Sequence, residues 1–129
     1  TSFARYADHL GIAFQLVDDL LDYTGDAEEM GKNVGDDLAE GKPTLPLIYT
    51  IDQGTPEQQR LIREAIKSDG LDRIAEITAA VQESGALDYT QRMALEHADK
   101  AKAALDIVPE SPFKNALLAL ADLAVNRNH

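Results

Sequence analysis

Three aspartates, Asp18, Asp19 and Asp22, fall within five consecutive positions, and Gln15 precedes the first of them by three. On an α-helix each residue advances about 100°, so residues three and four apart share a face. With Gln15 at zero, the three aspartates lie within about 60° on either side of it. Gly11 lies on the same stripe and leaves room there. Leu10, Phe14, Val17 and Leu21 gather on an adjacent face that can anchor the helix in a core. At about 4 Å and an effective dielectric near 20, each pair of ionised carboxylates repels by roughly 4 kcal/mol, less where water and salt screen it. A divalent cation would relieve that repulsion. Hard oxygen donors with no Cys or His nearby favour Mg2+, with Mn2+ as the alternative, over zinc. Magnesium takes one or two carboxylates plus phosphate oxygens and water, so the chemistry implied is a metal-bridged phosphate.

The glycine-rich stretch after this helix carries what the aspartates lack. Gly31-Lys32-Asn33-Val34-Gly35-Asp36-Asp37-Leu38-Ala39-Glu40-Gly41-Lys42-Pro43-Thr44 sets two lysines beside glycines. A lysine ammonium is a compact point charge suited to phosphate oxygens. It is not a Walker loop: five residues separate Gly35 from Gly41, and Pro43 occupies the Ser/Thr position. An EF-hand fails as well, because the residues after Asp22 lack its Asp/Asn alternation and central glycine. The competing reading of each element is plain: acidic clusters on helices are usually solvated, and loop lysines usually are too. Against it, aspartate is a poor helix former, and three in mid-helix beside an apolar stripe are costly without a reason.

The elements that position these residues are all helical. Phe3, Tyr6, Leu10, Phe14, Val17 and Leu21 recur at helical spacing, which predicts a helix from about Ser2 to Tyr23. Thr24 to Lys42 breaks the pattern and is expected as a long loop. Pro43 is expected to open a short helix ending near Gly54, and Thr55-Pro56-Glu57-Gln58 to cap the next, which runs to about Ser68. Leu71 to Ser84 follows, stopped by Gly85; then come Ala86 to Ile107 and a last helix from Ser111-Pro112 to Val125. No alternating strand pattern appears, so the predicted class is all-α, a helical bundle. After Gly54 no chemistry is evident.

Composition narrows the partners. Twelve basic against twenty-three acidic residues give a net charge of −11, which repels nucleic acid and anionic surfaces. It would repel a phosphorylated substrate too, unless a cation intervened. No cysteine is present, which fits a reducing cytoplasm. The longest apolar stretch, Ala116 to Val125, is too short for a bilayer and contains Asp122.

Taken together, Phe14-Gln15-x-x-Asp18-Asp19-x-x-Asp22 resembles the second aspartate-rich motif of the trans-prenyl diphosphate synthases, an isoprenoid synthase fold. Gly31-Lys32-x-x-Gly35-x-Asp37-Leu38-x-Glu40-Gly41-Lys42-x-Thr44-Leu45-Pro46 resembles the segment that follows it in that family. Gly54-Thr55-Pro56-Glu57-Gln58 and Val125-Asn126-Arg127 look most like the bacterial octaprenyl diphosphate synthases that make the ubiquinone side chain. The resemblance spans the chain, but its specific motifs end near Pro46. It implies transfer of an allylic prenyl group to isopentenyl diphosphate: diphosphate leaves, an allylic cation forms, the homoallylic double bond attacks, and a proton is lost. It implies Asp18 as a magnesium ligand, with Asp19 and Asp22 coordinating through water or holding the metal shell. Gln15, Lys32 and Lys42 would contact the allylic diphosphate, and Asp37 would support them; Asp37 as a turn-capping residue is the alternative.

The family's first aspartate-rich motif, its isopentenyl diphosphate site and its product-length residues match nothing here. The chain, which starts at Thr1 in mid-helix, is therefore expected to be the carboxyl-terminal portion of a single polyprenyl synthetase domain whose upstream helices are missing. Alone it is expected to be inactive; the complete protein is expected to be a homodimer. A non-catalytic partner subunit of the same fold is the alternative, with a helical scaffold bearing a solvated acidic stripe or a related terpene cyclase as weaker rivals.

Overall fold

The amphipathic spacing of the first twenty or so residues forms one continuous helix, α1 (Ser2–Leu21), in the computed structural model, which describes residues 1–23, 31–36, 44–68 and 73–126. The Thr1 hydroxyl accepts from the Ala4 backbone N–H at 3.0 Å, so the helix begins with a side-chain cap. It ends two residues before the predicted limit, where the Tyr23 N–H turns back to the Leu20 carbonyl at 3.0 Å. The described elements continue as a helical stretch at 31–36, α2 (Leu45–Gln53), α3 (Pro56–Ser68), α4 (Ile74–Glu83), α5 (Ala86–Ala103) and α6 (Pro112–Val125). No strand occurs among the described residues. The all-α class predicted from periodicity is the class observed.

The helical stretch at 31–36 departs from the long loop expected there. Gly31 and Gly35 hide the signal, but Val34 buries its side chain beside Tyr23, Leu47 and Ile62. Packing overrides poor local propensity. The proline in the first turn of α2 is Pro46, with Thr44 at the N-cap; Pro43, expected in that role, lies outside the described residues, as does Leu71.

Two compact units make up the chain. The first holds Thr1–Asp18 and Gln91–His129, around a core of Tyr6, Leu10, Ala101, Leu105, Ala121 and Ala124. Within it the Tyr6 hydroxyl donates to the Leu117 carbonyl at 2.7 Å, and burial raises its phenol above the ordinary value, which keeps it a donor. The Lys102 ammonium meets Asp122 at 2.7 Å, and Ser111 caps α6 by accepting from the Lys114 N–H at 3.1 Å.

The second unit, Asp19–Thr90, packs α2, α3 and α4 around Tyr23, Val34, Leu47, Ile62, Ile77 and Val81. Its corners follow the predicted caps. Gly85 has φ +86°, a left-handed turn that glycine adopts without strain, and it ends the run of α4. Thr55 and Gln58 form a reciprocal capping box at the start of α3: the Gln58 N–H donates to the Thr55 hydroxyl at 3.2 Å, and the Thr55 N–H to the Gln58 amide oxygen at 2.9 Å. Gly54, just before it, allows this tight corner. A Cβ there would lie 2.5 Å from the Thr50 carbonyl oxygen and 2.9 Å from Gln58 Oε1. Gly54→Ala should therefore cost about 1–3 kcal/mol of stability, read as a lower urea midpoint with an unchanged slope.

Candidate functional site

The aspartate stripe occupies the last turn of α1 and the residue just past it. Gln15 and Asp18 are exposed, and Asp22 is half-buried. Asp19 is 6% exposed, which the single polar arc predicted for all three did not anticipate. The cause is rotation about the helix axis. Asp19 is three residues from Leu16 and four from Tyr23, both buried, whereas Asp18 falls on the opposite edge of the arc. A carboxylate this far from water must be held by polar partners, and none of Gln15, Asp18, Asp19 and Asp22 lacks an interaction. Gly11, on the same stripe, faces open space: a Cβ there would meet nothing within 4 Å.

Of the cationic residues, Lys32 is exposed on the 31–36 stretch. Lys42 and Asp37 lie outside the described residues. Thr44, two residues past Lys42, is buried, and its hydroxyl has no hydrogen-bond partner among the described residues. Gln15 and Asp18 belong to the first unit; Asp19, Asp22 and Lys32 belong to the second.

Among the described residues no three acidic or histidine side chains converge as a closed metal cage. The donor set still fits magnesium, which binds through one or two carboxylates and completes its shell with water and phosphate oxygens. Asp18, a hard oxygen donor open to solvent at a helix end, meets that requirement without a cage. Buried Asp19 is better suited to holding position than to direct coordination.

Two features escaped the sequence reading. The first is a histidine pair within the first unit: His9 Nδ1 and His97 Nδ1 lie 3.0 Å apart, with rings stacked at 5.2 Å between centroids. One nitrogen must donate and the other accept, so at least one ring is neutral. Burial first, then the charges of His9 and Lys100, hold His97 below its ordinary value, while Glu96 pulls the other way. The unfolded chain thus binds that proton more readily than the folded one. Stability should be full above about pH 6.5 and fall as pH drops from there through the lowered folded value. Melting curves between pH 5 and pH 8 should show this decline at the acid end, and His97→Gln should flatten it. The second feature is a cleft between α2, α3 and Tyr89 in the second unit, about 650 Å³ in volume. No sequence signal marks either one: the two histidines are 88 residues apart, and Tyr89 joins the cleft from well beyond α2 and α3.

Comparison with known proteins bears on the family and the fold. The sequence model of the polyprenyl synthetase family matches residues 1–84. The octaprenyl diphosphate synthase of Escherichia coli K12 is 51% identical over 95% of this chain and 38% of its own length. An all-trans-nonaprenyl-diphosphate synthase from Rhodobacter capsulatus is 50% identical, with the same shares covered. A crystal structure of a polyprenyl synthase from Caulobacter crescentus, complexed with calcium and isoprenyl diphosphate, superposes with a TM-score of 0.76 at 44% identity, covering 95% of this chain and 38% of that one. The chain thus spans 38% of the length of these relatives. On the family match and on the aspartates that close its first helix, the chain belongs to the polyprenyl synthetase family.

Proposed function

We propose that the complete protein is a trans-polyprenyl diphosphate synthase, which adds isopentenyl diphosphate units to an allylic diphosphate. The product is a long-chain, octaprenyl, diphosphate destined for a quinone side chain. The observation that carries this reading is the aspartate pattern at the end of α1 followed at once by the lysine-bearing segment, in a chain half-identical to octaprenyl diphosphate synthases.

Asp18 holds Mg2+, with Asp19 and Asp22 keeping its shell in place; Mn2+ can substitute. The ion, when bound, supplies positive charge that offsets the negative charge on a departing diphosphate. Lys32 and Lys42 donate N–H bonds to the same diphosphate oxygens, and the Gln15 amide orients them. Asp37 steadies the lysine segment. The net charge of −11 makes these cations indispensable for an anionic substrate. The protein acts in the cytoplasm as a homodimer; no described helix is long and apolar enough to cross a membrane.

Incorporation of radiolabelled isopentenyl diphosphate tests the proposal. The complete protein should give a magnesium-dependent product of octaprenyl length, whereas the 129-residue chain by itself should give none, because nothing in it matches the family's first aspartate-rich motif. Absence of turnover in the complete protein with farnesyl diphosphate and magnesium would overturn it.

A further inference from the structure

The first turn of α2 is the common base of both lysine-bearing segments. Lys42 lies four residues before Pro46 along the chain, and Val34, two residues past Lys32, shares a buried cluster with Leu47. That turn lacks the usual restraint of a helix start. Thr44 stands at the N-cap without a side-chain cap bond, and Pro46 has no N–H to offer one. A line of hydroxyls from the corner between α4 and α5 reaches it instead. The Thr50 hydroxyl donates to the Pro46 carbonyl at 2.8 Å and lies 3.0 Å from the Ser84 hydroxyl. Ser84 Oγ accepts from the Ala86 N–H at 3.2 Å, and its own proton can go to Thr50 or to the Val81 carbonyl at 2.9 Å. Gly85, whose left-handed φ shapes this corner, sits between Ser84 and Ala86. Thr50 and Pro46 are already fully buried within these 129 residues, so the contact does not depend on what further chain covers.

We infer that Thr50 and Ser84 are positioning residues: their hydroxyl relay ties the first turn of α2 to the α4–α5 corner and so sets where Lys42 and Lys32 meet the diphosphate. The inference rests on the role proposed above for those lysines. Neither hydroxyl touches substrate; both act through the backbone at Pro46. The surrounding core of Leu47, Ile62, Ile77 and Val81 stabilises α2. Apolar packing is non-directional, however, and does not by itself fix the setting of a helix. Hydrogen bonds weaken steeply with misalignment, so a relay of them does. A lysine displaced from its anion loses binding before anything unfolds.

Two substitutions at one position separate the hydroxyl from the packing. Thr50→Val keeps the volume and removes the hydroxyl; Thr50→Ser keeps the hydroxyl and removes a methyl group. Prenyl transfer by the complete protein is measured at saturating magnesium with farnesyl diphosphate varied. Thr50→Val should raise KM for farnesyl diphosphate about fivefold or more with kcat within about twofold, the mark of lost substrate binding. Thr50→Ser should stay within about twofold of wild type in KM, because the relay survives. Ser84→Ala should raise the same KM, and the double variant should be no worse than Thr50→Val alone, since both break one line. Should Thr50→Val fail to fold, Ser84→Ala, at a half-buried position, carries the same reading. A merely structural role would lower the amount of folded enzyme, so kcat would fall with KM unchanged, in Thr50→Ser as in Thr50→Val. That pattern overturns the inference, as do an unchanged KM in Thr50→Val and Ser84→Ala or effects of the two that multiply. A complete wild-type protein without turnover overturns the proposed function itself, and this inference with it.

Discussion

Asp18→Asn in the complete protein should lower magnesium-dependent prenyl transfer by about two to three orders of magnitude, with the melting temperature nearly unchanged. The two halves of that expectation come from one fact: Asp18 is exposed at the end of α1. An exposed side chain contributes little to folding, and surface substitutions usually stay within about 0.5 kcal/mol. The carboxylate is nevertheless the exposed one of the three aspartates, and asparagine keeps its shape while removing its charge. Asp19→Asn should behave differently. That side chain is buried against the turn bearing Leu16 and Tyr23, so its loss should reduce stability as well as activity. A titration of magnesium in the assay separates the two: Asp18→Asn should need far more metal for half-maximal rate. If Asp18→Asn and wild type have the same rate at the same magnesium concentration, α1 does not hold the ion.

Much of this arrangement was legible in the sequence because its signals are local. Period-3.6 spacing gave α1 to within two residues, and the caps at Thr55, Gly85 and Ser111 stand where side-chain chemistry predicts. The 31–36 stretch was not legible, since two glycines and several charges outweigh Val34 in any local measure; only its burial against Leu47 and Ile62 explains the helix. The burial of Asp19 was hidden for a subtler reason. The acidic arc is about as wide as the boundary between polar and apolar faces, so a rotation of some 100° between Asp18 and Asp19 moves one carboxylate to solvent and the other inward. The histidine pair joins positions 88 apart in sequence, and the cleft joins α2 and α3 to Tyr89. Pairings at such separation leave no periodic trace.

The segment that bears Lys32 depends on a core that can be weakened from a distance. Leu47 is 2% exposed and sits in one cluster with Tyr23, which directly follows Asp22, and Val34, which lies two residues past Lys32. Leu47→Ala removes most of a buried side chain and leaves a cavity that helical neighbours fill only in part, at a cost of about 2–5 kcal/mol. Against a total of roughly 5–15 kcal/mol for a domain, that is a large share. Leu47→Met, which keeps the volume, should recover most of the loss, with less than about 1.5 kcal/mol remaining. Ile48→Ala, one residue along and 45% exposed, should cost far less, because water already reaches its side chain. Urea midpoints of the three variants order these effects. Because Tyr23 and Val34 share the cavity lining, Leu47→Ala should also speed amide exchange at Asp22 and across residues 31–36 while sparing Tyr6 and Leu10, which belong to the other core. Equal midpoints for Leu47→Ala and Ile48→Ala would mean that this cluster does not hold the second unit together, and the lysine segment would need another anchor.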